Sequence, residues 1–365
     1  MNRPQHGGNL NWAAAIAGCP ISALTDFSAS INPLGTPPSA IAAIVSHTVQ
    51  LTAYPDPEYT ELRSHLADYH QIDAEFILPG NGSAELLTWA GRELAQQNFT
   101  YLITPAFSDY YRALNAFGGK IFSCPLLLNC RQNDSGITSV IPIPKSPHPQ
   151  SGLLLNNPHN PTGKLWTKQE ILPLLEQFEL VVIDEAFMDF LTPCESQSLI
   201  SVVENYPNLV ILRSLTKFYS LPGLRIGYAI AHPERLKRWQ AWRDPWSVNT
   251  LAAAATIAVI QDKKFQQQTW DWLASARAQL LSQLKAIPGL QPIAGAANYL
   301  LVKTESSAIE LQQKLLQEHQ IVIRDCLSFP ELGDRYFRIA VRLPPQNNRL
   351  VKAIAAIVKS ESFLN

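Results

Sequence analysis

Lys217 has the neighbours that an aldehyde-binding amine needs. It lies shortly after the apolar run Leu209–Leu212, with Ser214 three residues before it and Arg225 eight residues after it. An amine held at the end of a buried strand suits Schiff-base chemistry, in which the lysine bonds the aldehyde of a cofactor. The Ser214 hydroxyl and the Arg225 guanidinium would then hold a phosphate on that cofactor. The segment therefore predicts covalent cofactor chemistry centred on Lys217.

A carboxylate after a second apolar run offers the partner that such a cofactor ring requires. Asp184 directly follows Leu180–Ile183, and a carboxylate at a buried sheet edge is costly unless it is paired. A pyridinium N–H would pair it, and the carboxylate would keep that nitrogen protonated. A helix-capping role is the alternative for Asp184 taken alone.

Three further segments with polar or aromatic groups follow predicted strands. Gly80–Glu85 opens a helix whose backbone N–H groups favour a phosphate, although a simple capped turn would have the same sequence. Phe107 could stack on a pyridine ring, and an aromatic residue there would also suit a protein core. Asn160, in the tight turn Asn156–Gly163, could donate its amide to a phenolic oxygen. Each of these segments is weak evidence alone. Their order along the chain, together with Asp184 and Lys217, makes the combination informative.

These segments end short apolar runs that alternate with amphipathic stretches. The alternation predicts an α/β domain with a mostly parallel sheet, which places ligands at the carboxyl ends of its strands. The predicted strands are Phe76–Leu78, Thr100–Thr104, Leu153–Leu155, Leu180–Ile183, Leu209–Leu212 and Ile226–Ile230. The predicted helices are Ala84–Gln97, Asp109–Phe117, Lys168–Phe178 and Ser198–Tyr206.

After about residue 285 the pattern changes to that of a compact α+β domain. The predicted strands there are Tyr299–Val302, Ile321–Ile323 and Tyr336–Val341, with helices at Ala308–His319 and Arg349–Ser360. The segment Arg131–Ser151 is rich in proline and serine, has no periodicity, and is predicted to be a surface loop.

The composition excludes several functional classes. The chain has 365 residues, 46% hydrophobic and 16% charged, which is typical of a globular protein with a sizeable core. A net charge of −1 without a run of like charges gives no basic surface for nucleic acid or an anionic membrane. No apolar stretch approaches the roughly 20 residues of a membrane helix. We therefore expect neither a nucleic-acid partner nor a membrane partner.

Cysteine usage bears on location and on metals. Five cysteines without CxxC spacing fit reduced thiols in a cytoplasm and predict no metal site. The stretch Ile16–Cys19 is similar to a lipoprotein cleavage box, but the apolar run before it is too short for a signal peptide. We therefore expect a cytoplasmic protein.

The ordered set of segments resembles the fold-type-I aminotransferase superfamily of pyridoxal-phosphate enzymes. Within it, the chain is similar to the histidinol-phosphate aminotransferase branch and, more narrowly, to the threonine-phosphate decarboxylase family of cobalamin biosynthesis. The similarity runs nearly end to end. Its further segments are His6–Asn9, Asp26–Gly35, Tyr54–Tyr59, Pro245–Asn249, Ala297–Tyr299 and Tyr336–Arg342.

This resemblance implies a fold and an assembly. It implies an α/β large domain that binds pyridoxal 5'-phosphate on a mostly parallel, mixed seven-stranded sheet flanked by helices, plus a small α+β C-terminal domain. We expect the large domain at 46–284 and the small domain at 285–365. Residues 1–45 form an N-terminal segment that contributes to the small domain and the active site. The resemblance also implies a homodimer with shared active sites.

The resemblance also assigns roles to matching residues. Lys217 is expected to bond the cofactor aldehyde and Asp184 to pair with the ring nitrogen, which makes these two the expected catalytic residues. The other expected cofactor contacts are Gly82, Ser83, Phe107, Asn160, Ser214, Arg225 and, from the other subunit, Tyr54. The expected substrate contacts are His6, Asn32, Asn160, Arg324 and Arg338, and the sequence leaves open which arginine binds carboxylate and which binds phosphate.

The activity implied is decarboxylation of L-threonine O-3-phosphate to (R)-1-amino-2-propanol O-2-phosphate and CO2. An aminotransferase of the histidinol-phosphate type would use the same residues, and serine phosphate also stays open as a substrate. His6 and Phe187 favour the decarboxylase, because histidinol-phosphate aminotransferases usually carry tyrosine at the position of Phe187. A non-catalytic regulator with an aminotransferase-like domain would carry a DNA-binding segment, and the near-neutral charge does not favour one.

Overall fold

Strands and helices alternate along most of the chain in the computed structural model, which describes residues 3–128, 141–145 and 147–362. The strands are β1 (Thr25–Asp26), β2 (Ile77–Asn81), β3 (Thr100–Thr104), β4 (Ile121–Pro125), β5 (Gly152–Asn156), β6 (Leu180–Asp184), β7 (Leu209–Ser214), β8 (Ile226–Ala231), β9 (Leu290–Ile293), β10 (Tyr299–Thr304), β11 (Ile321–Val322), β12 (Arg324–Asp325) and β13 (Tyr336–Ala340).

Twelve α-helices connect these strands within the described residues. They are α1 (Leu10–Ala17), α2 (Pro38–His47), α3 (Thr60–His70), α4 (Ser83–Leu94), α5 (Ser108–Asn115), α6 (Lys168–Ile171), α7 (Leu215–Phe218), α8 (Pro233–Trp242), α9 (Thr250–Gln261), α10 (Lys263–Lys285), α11 (Ala308–His319) and α12 (Pro344–Ser362). No helix in this part of the chain has both the length and the apolar character that crossing a membrane requires.

A seven-stranded mixed sheet carries most of the predicted site segments. Its strand order is β2-β8-β7-β6-β5-β3-β4, and β8 is the one strand that runs antiparallel to its neighbours. Alternate residues of β6 belong to separate hydrophobic clusters, with Val181 and Ile183 in one and Val182 in the other. Both faces of the sheet are therefore covered, which is why its inner strands are continuous apolar runs. The predicted α/β fold with a mostly parallel seven-stranded sheet is confirmed.

A second sheet lies in the C-terminal part of the chain. Its four antiparallel strands have the order β12-β13-β10-β9. Near the N-terminus, β1 pairs in parallel with β11, with Thr25 opposite Ile321 and Asp26 opposite Val322. The N-terminal segment is thus hydrogen-bonded to the C-terminal region. The domain boundaries given above remain predictions.

Several elements differ from those predicted, for local reasons. The predicted helix Lys168–Phe178 is α6 followed by a 3-10 turn, Leu172–Glu176, because Pro173 lacks the N–H that a continuing α-helix needs. The predicted helix Ser198–Tyr206 is only a 3-10 turn, Ile200–Asn205. Strand β4 was not predicted, since it is an edge strand with a half-exposed pattern. Most of the predicted loop Arg131–Ser151 lies outside the described residues.

A buried ion cluster joins the ends of β6 and β7 next to the predicted site. Arg213 donates from Nη1 to Glu185 at 2.9 Å and from Nη2 to Asp189 at 2.5 Å. Arg213 and Glu185 are almost fully inaccessible to solvent. Burial raises the pKa of both carboxyl groups, and the Arg213 charge opposes that shift. The cluster is therefore stable only while its cation is present.

We predict that Arg213→Met lowers the free energy of unfolding by about 3–5 kcal/mol, because it leaves two buried carboxylates without their cation. Urea denaturation followed by circular dichroism measures this loss. Lys237→Met is the matched control, since Lys237 pairs with Glu234 at 2.9 Å on the exposed surface, and it should leave the urea midpoint unchanged. Equal midpoints for the two variants would contradict a stabilising role for the buried cluster.

Candidate active site

Most of the predicted site residues converge on one cavity of about 320 Å³. Its lining comes from the ends of β3, β5, β6 and β7, the start of α4, the C-terminal sheet and the N-terminal segment. The predicted residues that line the cavity are His6, Ser83, Phe107, Asn160, Asp184, Ser214, Lys217, Arg225, Arg324 and Arg338.

Lys217 lies in α7, the short helix that directly follows β7. Burial lowers the pKa of its amine to about 8, with further lowering by Arg338 and Arg225 and an opposing effect of Asp184. The backbone N–H of Asn32 donates to the Lys217 carbonyl at 3.0 Å and fixes this turn. A buried amine with a lowered pKa is partly neutral near physiological pH, as a nucleophilic lysine must be.

Asp184 ends β6, and both of its carboxylate oxygens already accept a hydrogen bond. The Tyr110 hydroxyl donates to Oδ2 at 2.6 Å and the Ala186 backbone N–H donates to Oδ1 at 3.0 Å. Burial raises the pKa of Asp184, and these two hydrogen bonds lower it. Because a carboxylate has about four acceptor positions, Asp184 can still accept from a group in the cavity.

Groups suited to a phosphate surround the start of α4. Gly82, with φ of +75°, directly precedes this helix, and a Cβ at this position would collide with the Arg225 guanidinium. Ser214 pairs in the sheet with Gly227, which packs against Gly82 and Ser83, and the hydroxyls of Ser214 and Thr216 lie 2.8 Å apart. A helix N-terminus, two hydroxyls and a guanidinium are the groups that a phosphate typically requires. Thr216 was missed in the sequence, although its hydroxyl adjoins Lys217 in the same motif.

The Asn160 amide is oriented by its neighbours. Arg338 donates from Nη1 to the Asn160 side-chain oxygen at 2.6 Å, so the amide NH2 is the end left to donate. The Asn160 backbone N–H donates to the Asn156 side chain at 2.6 Å, and Asn156 also donates to the Asp184 carbonyl at 2.8 Å. Asn156 therefore ties the turn to β6, a positioning role that the sequence analysis did not identify.

Two buried arginines face the cavity from neighbouring strands, since Arg324 in β12 lies opposite Arg338 in β13. Arg324 donates to the Pro4 and Gln5 carbonyls and to Ser328 Oγ, and Arg338 donates to the Ser28 carbonyl at 3.1 Å. The Nε of Arg338 has no hydrogen-bond partner among the described residues. Burial lowers the pKa of both guanidinium groups. Two buried cations without a hydrogen-bonded carboxylate in the described chain favour an anionic ligand.

Aromatic side chains line another part of the cavity. The Phe107 ring lies 5.6 Å from His6 at a tilt of 58°, and it meets Tyr110 edge-on at 5.6 Å. Burial and then Arg324 lower the pKa of His6, which favours its neutral form. Phe329 adds a further apolar surface. Tyr110 was missed because it lies within the predicted helix Asp109–Phe117, and Phe329 was missed because it follows no motif that marks a binding site.

Gly82 adjoins the lining residue Ser83, and two further predicted contacts are not brought to the cavity. The Asn32 amide donates to the Phe218 carbonyl and to Thr269 Oγ1, both at 2.8 Å, and its side-chain oxygen accepts from Leu34 N–H. Asn32 therefore holds the Lys217 segment in place, and its hydrogen bonds offer no support for the predicted substrate contact. Tyr54 is 79% exposed and packs on Trp246, outside the lining of this cavity.

The described ranges contain no cluster of metal-ligating side chains. No group of three or more His, Cys, Asp or Glu side chains there could hold a metal ion.

The chain is similar over nearly its whole length to proteins of known type. It is 38% identical over 362 residues to threonine-phosphate decarboxylase from Salmonella typhimurium, which covers 97% of this chain and 96% of that protein. It is 32% identical to the adenosylcobalamin biosynthesis bifunctional protein CobDQ from Leptospira interrogans, over 98% of this chain and 41% of that protein.

A solved structure with the same fold is histidinol-phosphate aminotransferase from Clostridium acetobutylicum. Its TM-score is 0.84 at 27% identity, covering 92% of this chain and 100% of that chain. The profile of the family "Aminotransferase class I and II" matches residues 22–354. These similarities confirm the superfamily indicated by the sequence. The chain therefore belongs to the class I and II aminotransferase family, whose members depend on pyridoxal phosphate.

Proposed function

We propose that the protein decarboxylates L-threonine O-3-phosphate to (R)-1-amino-2-propanol O-2-phosphate and CO2 in cobalamin biosynthesis. The observation that carries the proposal is the pair of buried arginines, Arg324 and Arg338, facing the same cavity as Lys217 and Asp184. A phosphorylated amino acid has two anionic groups for these cations. The identity to the Salmonella decarboxylase supports the same substrate.

The residues of the cavity fit pyridoxal 5'-phosphate. The absence of a Cβ at Gly82 lets the Arg225 guanidinium pack against the start of α4, and these groups together suit a phosphate. Ser83, Ser214, Thr216 and Arg225 would hold that phosphate, Asp184 would pair with the ring nitrogen, and the NH2 of Asn160 would donate to the phenolic oxygen. When bound, this cofactor supplies an electron sink for the electrons of the broken Cα bond.

The side chains of the cavity would determine which bond to the substrate Cα breaks. A bond breaks when it stands perpendicular to the cofactor ring, so a decarboxylase must hold the substrate carboxylate out of that plane. Arg324 and Arg338 can bind phosphate and carboxylate oxygens in pairs, with His6 beside them. Binding energy from the distant phosphate would then fix the reacting bond.

Lys217 would return a proton to Cα after CO2 has left. Its amine is suited to moving a proton, because its lowered pKa of about 8 lies close to neutral pH. Its position after β7 places it in the same cavity as the substrate arginines. In an aminotransferase, the same amine would instead carry a proton from Cα to the cofactor.

Phe187 favours the decarboxylase over the alternative, an aminotransferase of the histidinol-phosphate type. Its ring lines the cavity and meets Tyr299 edge-on at 4.9 Å. Because phenylalanine has no hydroxyl, Phe187 cannot donate a hydrogen bond to the phenolic oxygen of the cofactor. Asn160 is thus the donor expected for that oxygen.

The reaction is tested by mixing the holoenzyme with threonine phosphate and measuring CO2, amine product and keto acid. We expect CO2 and amine in equal amounts and no keto acid. Unphosphorylated threonine is the control substrate, and its kcat/KM should be lower by at least about a hundredfold, because it lacks the charge-assisted hydrogen bonds of the phosphate. Keto acid without CO2, from threonine phosphate or from histidinol phosphate, would instead support the aminotransferase.

A homodimer with shared active sites is the assembly that we propose. Large apolar side chains are exposed along α2 and the segment after it, with Val45 64%, Val49 77% and Leu51 60% accessible. Tyr54, at 79%, extends the same surface. An exposed apolar patch of this kind is typical of a protein–protein interface, and a two-fold dimer would bury it against its copy. Tyr54 could then reach the cofactor phosphate of the partner subunit.

We predict that the double variant Val45→Asp/Val49→Asp is monomeric and has lost most of its activity, because charges would oppose burial of the patch. Sedimentation velocity gives the assembly state. Leu127→Asp, at a side chain 62% exposed elsewhere in the described chain, is the matched control and should leave assembly and activity unchanged. A fully active monomeric variant would contradict shared active sites.

We also propose a cytoplasmic location. The cysteines at positions 19, 124, 194 and 326 are all unpaired, which supports a reducing compartment. Cys130 lies outside the described residues.

A further inference from the structure

Tyr110 contacts the ring-nitrogen partner, although the reaction described above gives it no role. It lies in the first turn of α5, and its hydroxyl donates to Asp184 Oδ2 at 2.6 Å. Tyr110 is 2% exposed. Within the described chain it is the only side chain that hydrogen-bonds to the Asp184 carboxylate, since the other donor is the backbone N–H of Ala186.

The side chains that pack against the Tyr110 ring are apolar. Phe107 packs edge-on against the Tyr110 ring, and Leu114 and Ala113 of the same helix are buried beside it. The ionisable groups that act on the pair are Asp109 on α5, Lys217 after β7, and Tyr299 on β10. None of these three donates a hydrogen bond to Asp184 among the described contacts, so Tyr110 has no substitute.

We propose that Tyr110 is a positioning residue that keeps Asp184 ionised and leaves its remaining acceptor positions for the pyridine nitrogen of the cofactor. This inference rests on the proposed cofactor but is independent of the identity of the amino-acid substrate. Tyr110 acts through Asp184 and needs no contact with the reacting atoms.

The physical reason is a balance between burial and hydrogen bonding at one carboxylate. Burial raises the pKa of Asp184, and donation from the Tyr110 hydroxyl is the largest opposing effect. Burial and the Asp184 charge raise the pKa of Tyr110 well above its ordinary value, so the phenol remains a donor at any working pH. Without this donor, Asp184 becomes more basic and competes with the ring nitrogen for the proton between them. A less protonated ring is a weaker electron sink.

The test compares Tyr110→Phe with Tyr111→Phe, the adjacent tyrosine on the same helix. Each protein is reconstituted with cofactor labelled with ¹⁵N in the pyridine ring, and the ¹⁵N chemical shift reports protonation of that nitrogen directly. We expect the wild type and Tyr111→Phe to show the protonated ring. Tyr110→Phe should shift toward the neutral pyridine, and its kcat should fall by roughly tenfold or more, with KM changed less than threefold.

Thermal denaturation of the three reconstituted proteins separates this effect from a loss of folding. An unchanged ¹⁵N shift in a folded, cofactor-loaded Tyr110→Phe variant would overturn the proposal, whatever its activity. A shift that changes equally in Tyr111→Phe would also overturn it, because the effect would not depend on the hydrogen bond to Asp184. The ¹⁵N readout needs no substrate, so failure of the decarboxylase assignment would leave it intact.

Discussion

The burial of the Lys217 amine among other cations is the constraint on which the site depends. Burial, Arg338 and Arg225 all lower its pKa, to about 8, and the Asp184 carboxylate opposes that shift. A buried cavity with more cationic than anionic groups costs folding free energy when no anion is bound. The binding of a cofactor phosphate and a phosphorylated substrate would relieve that cost. The same charges thus account for both ligands.

The sheet places these groups together because parallel strands end at one edge. Asp184 ends β6 and Ser214 ends β7, and the adjacent positions Glu185 and Arg213 form the buried ion cluster instead. The ends of β6 and β7 therefore provide both residues of the site and the buried ion cluster beside it. The short helix α7 then carries Lys217 into the cavity, held by Asn32 from the N-terminal segment.

Residues within a few positions after apolar strands could be predicted from the sequence, because strand ends are visible as breaks in hydrophobicity. Lys217, Asp184 and Asn160 are of this kind, and all three line the cavity. Tyr110 and Asn156 act through hydrogen bonds to other site residues, and the hydrophobic periodicity of the sequence does not reveal such bonds. The substrate contact expected for Asn32 has no structural support for the same reason. Its amide instead donates to Phe218 and Thr269, which are distant from it in the sequence.

The most direct test of the account is to identify the residue that bonds the cofactor. Sodium borohydride treatment of the holoenzyme makes the bond between the lysine amine and the cofactor aldehyde permanent, and peptide mass spectrometry then locates the added mass. The account predicts that the added mass is on Lys217 alone and that Lys217→Ala carries none. Added mass on another lysine of the wild-type protein, or none at all, would contradict it.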